Sequence, residues 1–337
     1  MEINVTDYPN KAIGEKGSTR STKKELSSLL FPHWIPVLFS IIKSRMLVYV
    51  FAVITFGTFL ITAGANIPDL FTLIAATAAS YLVALATYLY NDLTDYTVDK
   101  INQREIIHDQ KKSLQYQTTL YSMIGFFAIS ILLSFSISIA TGVSSLIFAG
   151  LAIAYSHPRT HLKDRFITKT VVTGAGAFVA SVMGMTAAVA ETDVFSNIAL
   201  MSSVIAFLFY FILGPLGDIG DIRGDRQGGR KTIPIVIGIK RTFLLMDGIV
   251  VFIGVIFAVS YFVFGMHVIG LVLGLTVCSV FLFQINDVSK HYKVKSKLKK
   301  TRTTLRYSVF ATLIAMWMGV VLRDIVVWFE YGVIPLE

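Results

Sequence analysis

Beyond residue 45 the chain alternates long apolar runs with short polar stretches. Runs near 46–64, 69–90, 118–140, 142–156, 169–190, 195–216, 242–263, 266–287 and 306–328 stand out. A helix rises ~1.5 Å per residue, so about 20 apolar residues cross a hydrocarbon core ~30 Å thick. The fourth run is the shortest of the set, and its limits are the softest. The pattern predicts an all-α polytopic membrane protein, a bundle of nine transmembrane helices. Ahead of the first run, "KELSSLLFPHWIPVLFSIIKSR" mixes aromatic and aliphatic residues, carries Pro32 and Pro36, and is flanked by charge. Its apolar part is shorter than a span, which predicts an interfacial segment leading into the first span, with a partial first span as the alternative. Residues 1–28 are polar and mixed in charge, so they predict a tail without ordered structure, leaving 29–337 as a single transmembrane domain. No apolar stretch in that tail resembles a secretory leader, and the first span is expected to direct insertion.

Composition agrees with the pattern. The 337 residues are 54% hydrophobic and 15% charged, and the mean hydropathy is +0.68, all far from soluble averages. The single cysteine, Cys278, lies inside the eighth run, which excludes an intramolecular disulfide and predicts a small buried apolar side chain.

The net charge of +9 would suit a nucleic-acid partner, but its distribution excludes that reading. With the N-terminus placed in the cytoplasm and nine spans threaded, all of the 30 lysines and arginines except Arg323 fall on the cytoplasmic side. Asp69, Glu191, Asp193, Glu330 and Glu337 fall on the other. Basic residues favour cytoplasmic loops, so the charge encodes topology and attraction to anionic lipid or substrate. The run "KHYKVKSKLKKTR" then reads as a membrane-surface loop.

Candidate chemistry sits at two span ends. "NDLTDYTVDK" places Asp92, Asp95 and Asp99 after the second run, and "GDIGDIRGD" places Asp218, Asp221 and Asp225 after the sixth. Both sets are spaced by three and then four, which puts three carboxylates on one face wherever the helix continues. Helix parity brings both sets to the cytoplasmic side. One set alone would pass as a solvated helix end. Two with one spacing, at C-terminal ends where the helix dipole disfavours negative charge, point instead to a bound cation. The ligands are all oxygen, which favours Mg²⁺, Mn²⁺ or Ca²⁺ over zinc. His157 and His161 flank Pro158 in a loop and make a poor metal pair. Lys163, Arg223, Arg226, Arg230 and Lys231 surround the acidic sets in sequence, and the combination suits a diphosphate bridged through Mg²⁺. "GDRQGGRKT" superficially matches a phosphate loop, but Arg230 interrupts the pattern and no strand precedes it, so it reads as a glycine turn.

These residues resemble the UbiA superfamily of intramembrane prenyltransferases. Asn91, Asp92, Asp95 and Asp99 match its first signature. Asp218, Asp221 and Asp225, followed by Gly228 or Gly229 and "TIPIVIG", match its second, and "AYSHPRTHLK" is similar to a third, through Tyr155, Ser156, Pro158 and Lys163. The resemblance covers nearly the whole chain from about residue 35. It implies Mg²⁺-dependent transfer of a polyprenyl group from its diphosphate to an acceptor, with the site facing the cytoplasm of the cell membrane. It implies metal coordination by Asn91, Asp95, Asp221 and Asp225, supported by Asp92, Asp99 and Asp218. Asp95, Asp99 and Asp221, with Lys163 and Tyr155, become the candidate catalytic residues. Asn91, Ser156, Lys163, Arg104, Arg223 and Lys231 become the candidate substrate contacts. Lys163 would bind diphosphate oxygens, and the Tyr155 ring face would stabilise an allylic cation, an interfacial anchor being its plainer role.

After Asp99 the text "INQREIIHDQKKS" departs from the family, keeping Asn102 and Arg104 but lacking the usual prolines and glycine. The second signature is most similar to that of archaeal lipid-synthesis members. The leading expectation is therefore geranylgeranyl transfer to geranylgeranylglyceryl phosphate, with an aromatic acceptor of quinone or chlorophyll-type synthesis as the alternative. A transporter of divalent cations or phosphorylated solutes, or a member that only binds isoprenoid, are the readings from other classes. No protein partner is implied.

Overall fold

The computed structural model describes residues 34–66, 68–94, 114–160, 162–192 and 195–331. Within them the chain is helical with no strand, and nine helices are long and apolar enough to cross a membrane. The protein is a polytopic helical membrane protein, as the hydropathy pattern predicts. Helix α1 (Trp34–Ser44) has 11 residues. At ~1.5 Å each it is too short to span, in keeping with an interfacial lead-in. A 3₁₀ turn (Met46–Val48) runs into α2 (Tyr49–Ala63), which is followed by α3 (Leu70–Thr94), α4 (Leu114–Ile137) and α5 (Ile139–Ser156). After a 3₁₀ turn (Leu162–Asp164) come α6 (Thr168–Thr192), α7 (Asn197–Gln227), the short α8 (Ile233–Ile237), α9 (Ile239–Phe262), α10 (Val268–Lys290) and α11 (Lys295–Tyr331).

Two helices run well past the spans that hydropathy predicts. The sixth span continues to Gln227, and the ninth begins at Lys295 rather than 306. Hydropathy registers lipid contact, whereas backbone hydrogen bonding continues wherever the residues tolerate it. Most of the basic run 290–302, expected to be a surface loop, is therefore the first turns of α11.

Lipid provides no hydrophobic drive between helices, so close packing and polar contacts must hold the bundle together. Here α2 packs on α6, α6 on α7, and α11 on both α2 and α7. Thr55 Oγ1 donates to the Ala180 carbonyl at 2.7 Å, and Thr58 and Ser181 hydroxyls meet at 2.6 Å. Ser203 of α7 joins the same chain through Ser181 at 2.9 Å. Gly184 lies beside these bonds, and a Cβ there would overlap the Thr55 carbonyl. At the opposite end from α1, Asp324 of α11 accepts from the Ala65 amide at 3.0 Å and from Arg323 Nη2 at 2.7 Å. That contact ties α11 to the turn after α2, where Gly64 has φ +60°.

Candidate active site

The second acidic set lies on one continuous helix. α7 carries Asp218, Asp221 and Asp225 through two turns before ending at Gln227, and all three line a cavity of about 200 Å³. Asn91 from the end of α3, Tyr155 from α5, Lys169 and Thr173 from α6, and Arg302 and Arg306 from α11 complete its wall. The i, i+3, i+7 spacing thus does what the sequence predicts. Asp95, Asp99 and Arg104 lie outside the described residues.

Each carboxylate has a distinct environment. Lys169 Nζ lies 2.5 Å from Asp218 Oδ1. Asp225 is buried, with Arg230 Nη1 3.8 Å from its Oδ1. Arg230 in turn donates Nε to Asp164 Oδ1 at 2.8 Å, and its amide donates to the Asp225 carbonyl at 2.8 Å. The Gly228–Gly229 turn, with Gly229 at φ +72°, folds Arg230 back under α7. Asp218 Oδ2 and Asp225 Oδ2 remain buried without a hydrogen-bond partner. A buried carboxylate oxygen without a partner is costly. Two of them on one cavity wall fit a bound divalent cation, and all-oxygen ligation suits Mg²⁺. Among the described residues no three His, Cys, Asp or Glu side chains are gathered to hold a metal by themselves. Mg²⁺ commonly takes only one or two carboxylates and completes its shell with water and phosphate oxygens, so the donor set still suits it.

The first acidic set is represented by Asp92, and its position differs from the expected one. Arg45 donates Nε to Asp92 Oδ2 at 2.8 Å and Nη2 to Oδ1 at 2.6 Å, and Asp92 is absent from the cavity wall. The side chain that faces the cavity is Asn91, whose Oδ1 accepts from Ser156 Oγ at 3.1 Å. Ser156 therefore positions Asn91. Lys163 is buried and donates Nζ to Thr94 Oγ1 at 2.8 Å, beside the end of the described α3. Arg223 and Lys231 are exposed and do not line the cavity; Lys231 contributes only its amide, to the Asp164 carbonyl at 3.1 Å.

Among the described residues the cations at the cavity wall are instead Lys169, Arg230, Arg302 and Arg306. In the sequence Arg230 is one of several basic neighbours of the acidic sets, and the other three read as topology signals. Their usable signals were a lysine at the very start of an apolar run and two arginines four apart, one helical turn, on one face of α11.

A second, apolar space of about 130 Å³ shares Tyr88, Asn91, Tyr155, Thr173 and Tyr210 with the first. Phe51 and Phe148 close on it, with ring centroids 5.4 Å apart, and Phe51 lies 5.4 Å from Tyr210. Polar head and aromatic arm together can hold an anionic group joined to a hydrocarbon. Tyr155 stands at the junction of the two.

Such a fold and cavity define a polytopic membrane protein of helices in which paired acidic and basic side chains meet an apolar arm. The chain belongs to the UbiA prenyltransferase family, whose family model matches residues 50–310. It is 30% identical over 156 residues to digeranylgeranylglyceryl phosphate synthase of Methanosphaera stadtmanae, covering 46% of this chain and 54% of that protein. To the Thermococcus kodakarensis protein of the same name it is 29% identical, covering 54% and 62%. The Sulfolobus acidocaldarius protein of that name is 26% identical, covering 71% of this chain and 82% of its own. The first two matches thus span between about half and two thirds of those relatives. In solved structures the fold is similar to one concerning digeranylgeranylglyceryl phosphate synthase in membranes (TM-score 0.62, 18% identity, covering 86% and 99%). It is also similar to a UbiA homolog from Archaeoglobus fulgidus bound to GPP and Mg²⁺ (TM-score 0.58, 14% identity, covering 80% and 97%).

Proposed function

We propose that the protein transfers a polyprenyl group, geranylgeranyl in the leading reading, from its diphosphate to the hydroxyl of geranylgeranylglyceryl phosphate. The observation that carries this is the pair of buried, unpartnered oxygens, Asp218 Oδ2 and Asp225 Oδ2, on a cavity that continues into an aromatic arm. Asp218 and Asp225, with Asp221 and Asn91, would hold Mg²⁺. When bound, the metal would offset the charge that builds on the departing pyrophosphate. Lys169 holds diphosphate oxygens at the head of the cavity. Lys163, held by Thr94 at the end of α3, and Asp95 and Asp99 of the first signature belong with the same machinery. The carbon–oxygen bond from the allylic carbon to diphosphate breaks, the acceptor oxygen bonds that carbon, and the hydroxyl proton leaves with the released pyrophosphate. Tyr155 and Tyr210 present aromatic faces to the electron-poor carbon, and the apolar arm keeps water away from it. The site faces the cytoplasm in this reading, because the basic residues gather at its end of the bundle.

The names of the curated relatives favour the lipid acceptor over an aromatic one. The test is transfer from labelled geranylgeranyl diphosphate in membranes carrying the protein, with Mg²⁺ or chelator. Geranylgeranylglyceryl phosphate, 4-hydroxybenzoate and a dihydroxynaphthoate are offered separately, and Asp221→Ala runs alongside. Mg²⁺-dependent label in the glycerol lipid, lost in the variant, is expected. Label in an aromatic product alone would overturn the acceptor. Absence of donor binding would overturn the site.

A further inference from the structure

A cavity of about 470 Å³ opens beside the acidic site, between the 3₁₀ turn that follows α1, helix α7 and the first turns of α11. Lys295, Lys299, Arg302 and Arg306 line it, spaced by four, three and four, so they form a single stripe on α11. Arg45 joins them from the other wall, and Asp221 is the one carboxylate among the described lining residues. Like charges on successive turns repel, so such a stripe is stabilised by an anion in the space it faces. Leu47, Val48, Leu216 and Leu298 add an apolar part to the wall. Leu47 and Met46 are exposed on the same segment, 46% and 58%, so the cavity lies next to surface suited to lipid.

α7 is shaped to admit this stripe. Gly217 stands against Arg302, where a Cβ would sit 3.1 Å from Nη1, and Gly220 faces open space. The missing side chain at Gly217 thus leaves room for the Arg302 guanidinium beside α7. Asp221, Arg302 and Arg306 line both this cavity and the acidic one, so the two meet there. Asp218 and Asp225, whose oxygens suit the metal, do not line the larger space. Asp221 alone of the α7 carboxylates is shared, so the metal-bridged diphosphate belongs with the acidic cavity and the cationic stripe is left for a second anion.

We propose that this cavity binds the phosphate monoester of a lipid acceptor, with Arg302 and Arg306 on its oxygens. Lys295 and Lys299 draw it in from the membrane face, and the leucines receive the first part of its hydrocarbon. The assignment rests on the transferase reading of the adjoining site. Guanidinium forks suit the several oxygens of a phosphate dianion better than the single carboxylate of an aromatic acid.

Binding decides it without catalysis. The full-length protein in zwitterionic nanodiscs is titrated with a dialkylglycerol phosphate, the matching dialkylglycerol and inorganic phosphate. Geranylgeranyl diphosphate with Mg²⁺ is titrated in parallel. Lys295→Gln/Lys299→Gln and Arg302→Gln are compared with Lys240→Gln, a cation outside both cavities. The phosphate lipid is expected to bind at least about tenfold more tightly than the alcohol, and each stripe variant to lose about tenfold. The lysine pair is expected to leave donor affinity unchanged, and Arg302→Gln to weaken acceptor more than donor. Equal loss of donor and acceptor in both variants would assign the stripe to the diphosphate and overturn the proposal. Inorganic phosphate competing as well as the lipid would also overturn it, as would binding indifferent to the variants. If the lipid binds as expected while no acceptor is prenylated, the transferase reading fails and the phosphate-lipid site stands.

Discussion

Arg45 clamps Asp92 with two nitrogens, at 2.8 Å and 2.6 Å, fastening the entry to α2 onto the end of α3. Asp92 is 7% exposed, whereas the arginine is 27% exposed. Removing the arginine takes two bonds from a buried carboxylate, which costs more than the pair itself contributes. Arg45→Met is expected to lower unfolding free energy by about 2–3 kcal/mol. Arg45→Met/Asp92→Leu should recover much of that loss. Chemical denaturation in detergent, read as a double-mutant cycle, checks it. Recovery no better than additive would show that the two residues act separately.

The same geometry separates Asp92 from its neighbours in function. With both oxygens on Arg45, Asp92→Asn should leave the half-saturating Mg²⁺ concentration unchanged in the transfer assay. Asp225→Asn, which alters an unpartnered oxygen on the cavity wall, should raise it by at least about tenfold. A titration of initial rate against Mg²⁺ makes the comparison, and a raised requirement in Asp92→Asn would return that residue to the metal.

Much of this architecture is legible because hydropathy and span length are the physics of crossing a bilayer. Asp218, Asp221 and Asp225 are legible for a similar reason, since helical spacing fixes their shared face. Asp92 is different: its i, i+3 relation to Asp95 carries no hint that Arg45, remote in sequence, would take both oxygens. Arg45, Lys169, Arg302 and Arg306 sit at span ends, where positive charge already has an explanation in topology. The helical period 295, 299, 302, 306 becomes meaningful only once α11 is seen to begin at Lys295. Nothing in a hydropathy profile reports a helix outside the membrane.

Gly184 tests the packing between α2 and α6. A Cβ there meets the Thr55 carbonyl, which is backbone and cannot swing aside. Gly184→Ala is expected to cost about 1–3 kcal/mol through separation of the helices, and to break the Thr55–Ala180 bond. Thermal denaturation in detergent should show a lower midpoint. Gly220→Ala, facing open space, should leave the midpoint unchanged. Equal midpoints for Gly184→Ala and the parent protein would exclude a tight α2–α6 contact.

Arg230 links the 3₁₀ turn after α5 to the end of α7, donating to Asp164 while lying 3.8 Å from Asp225. It is 7% exposed, so the guanidinium has little solvent to fall back on. Lysine cannot reproduce a fork between two carboxylates. Arg230→Lys should therefore behave nearly as Arg230→Gln, each lowering kcat/KM by about tenfold or more. Full activity in Arg230→Lys would mean that only its charge matters.

Lys169 holds one oxygen of Asp218 and leaves the other free, so it has two separable effects. In the proposed role its charge would attract the donor's diphosphate, and the same charge would compete with a cation for Asp218. Lys169→Met removes both. The diphosphate loses a charge-assisted contact, so KM for the donor should rise about tenfold or more. The carboxylates meanwhile lose a neighbouring positive charge, so the half-saturating Mg²⁺ at saturating donor should not rise, and should fall if competition dominates. Steady-state rates on a grid of donor and Mg²⁺ concentrations separate the two constants. A lysine that served only to support the helix packing would lower kcat through loss of folded protein and leave both constants where they were. A rise in the Mg²⁺ requirement would mean instead that Lys169 orients Asp218 for the metal, and that its hold on Oδ1 aims Oδ2 into the cavity.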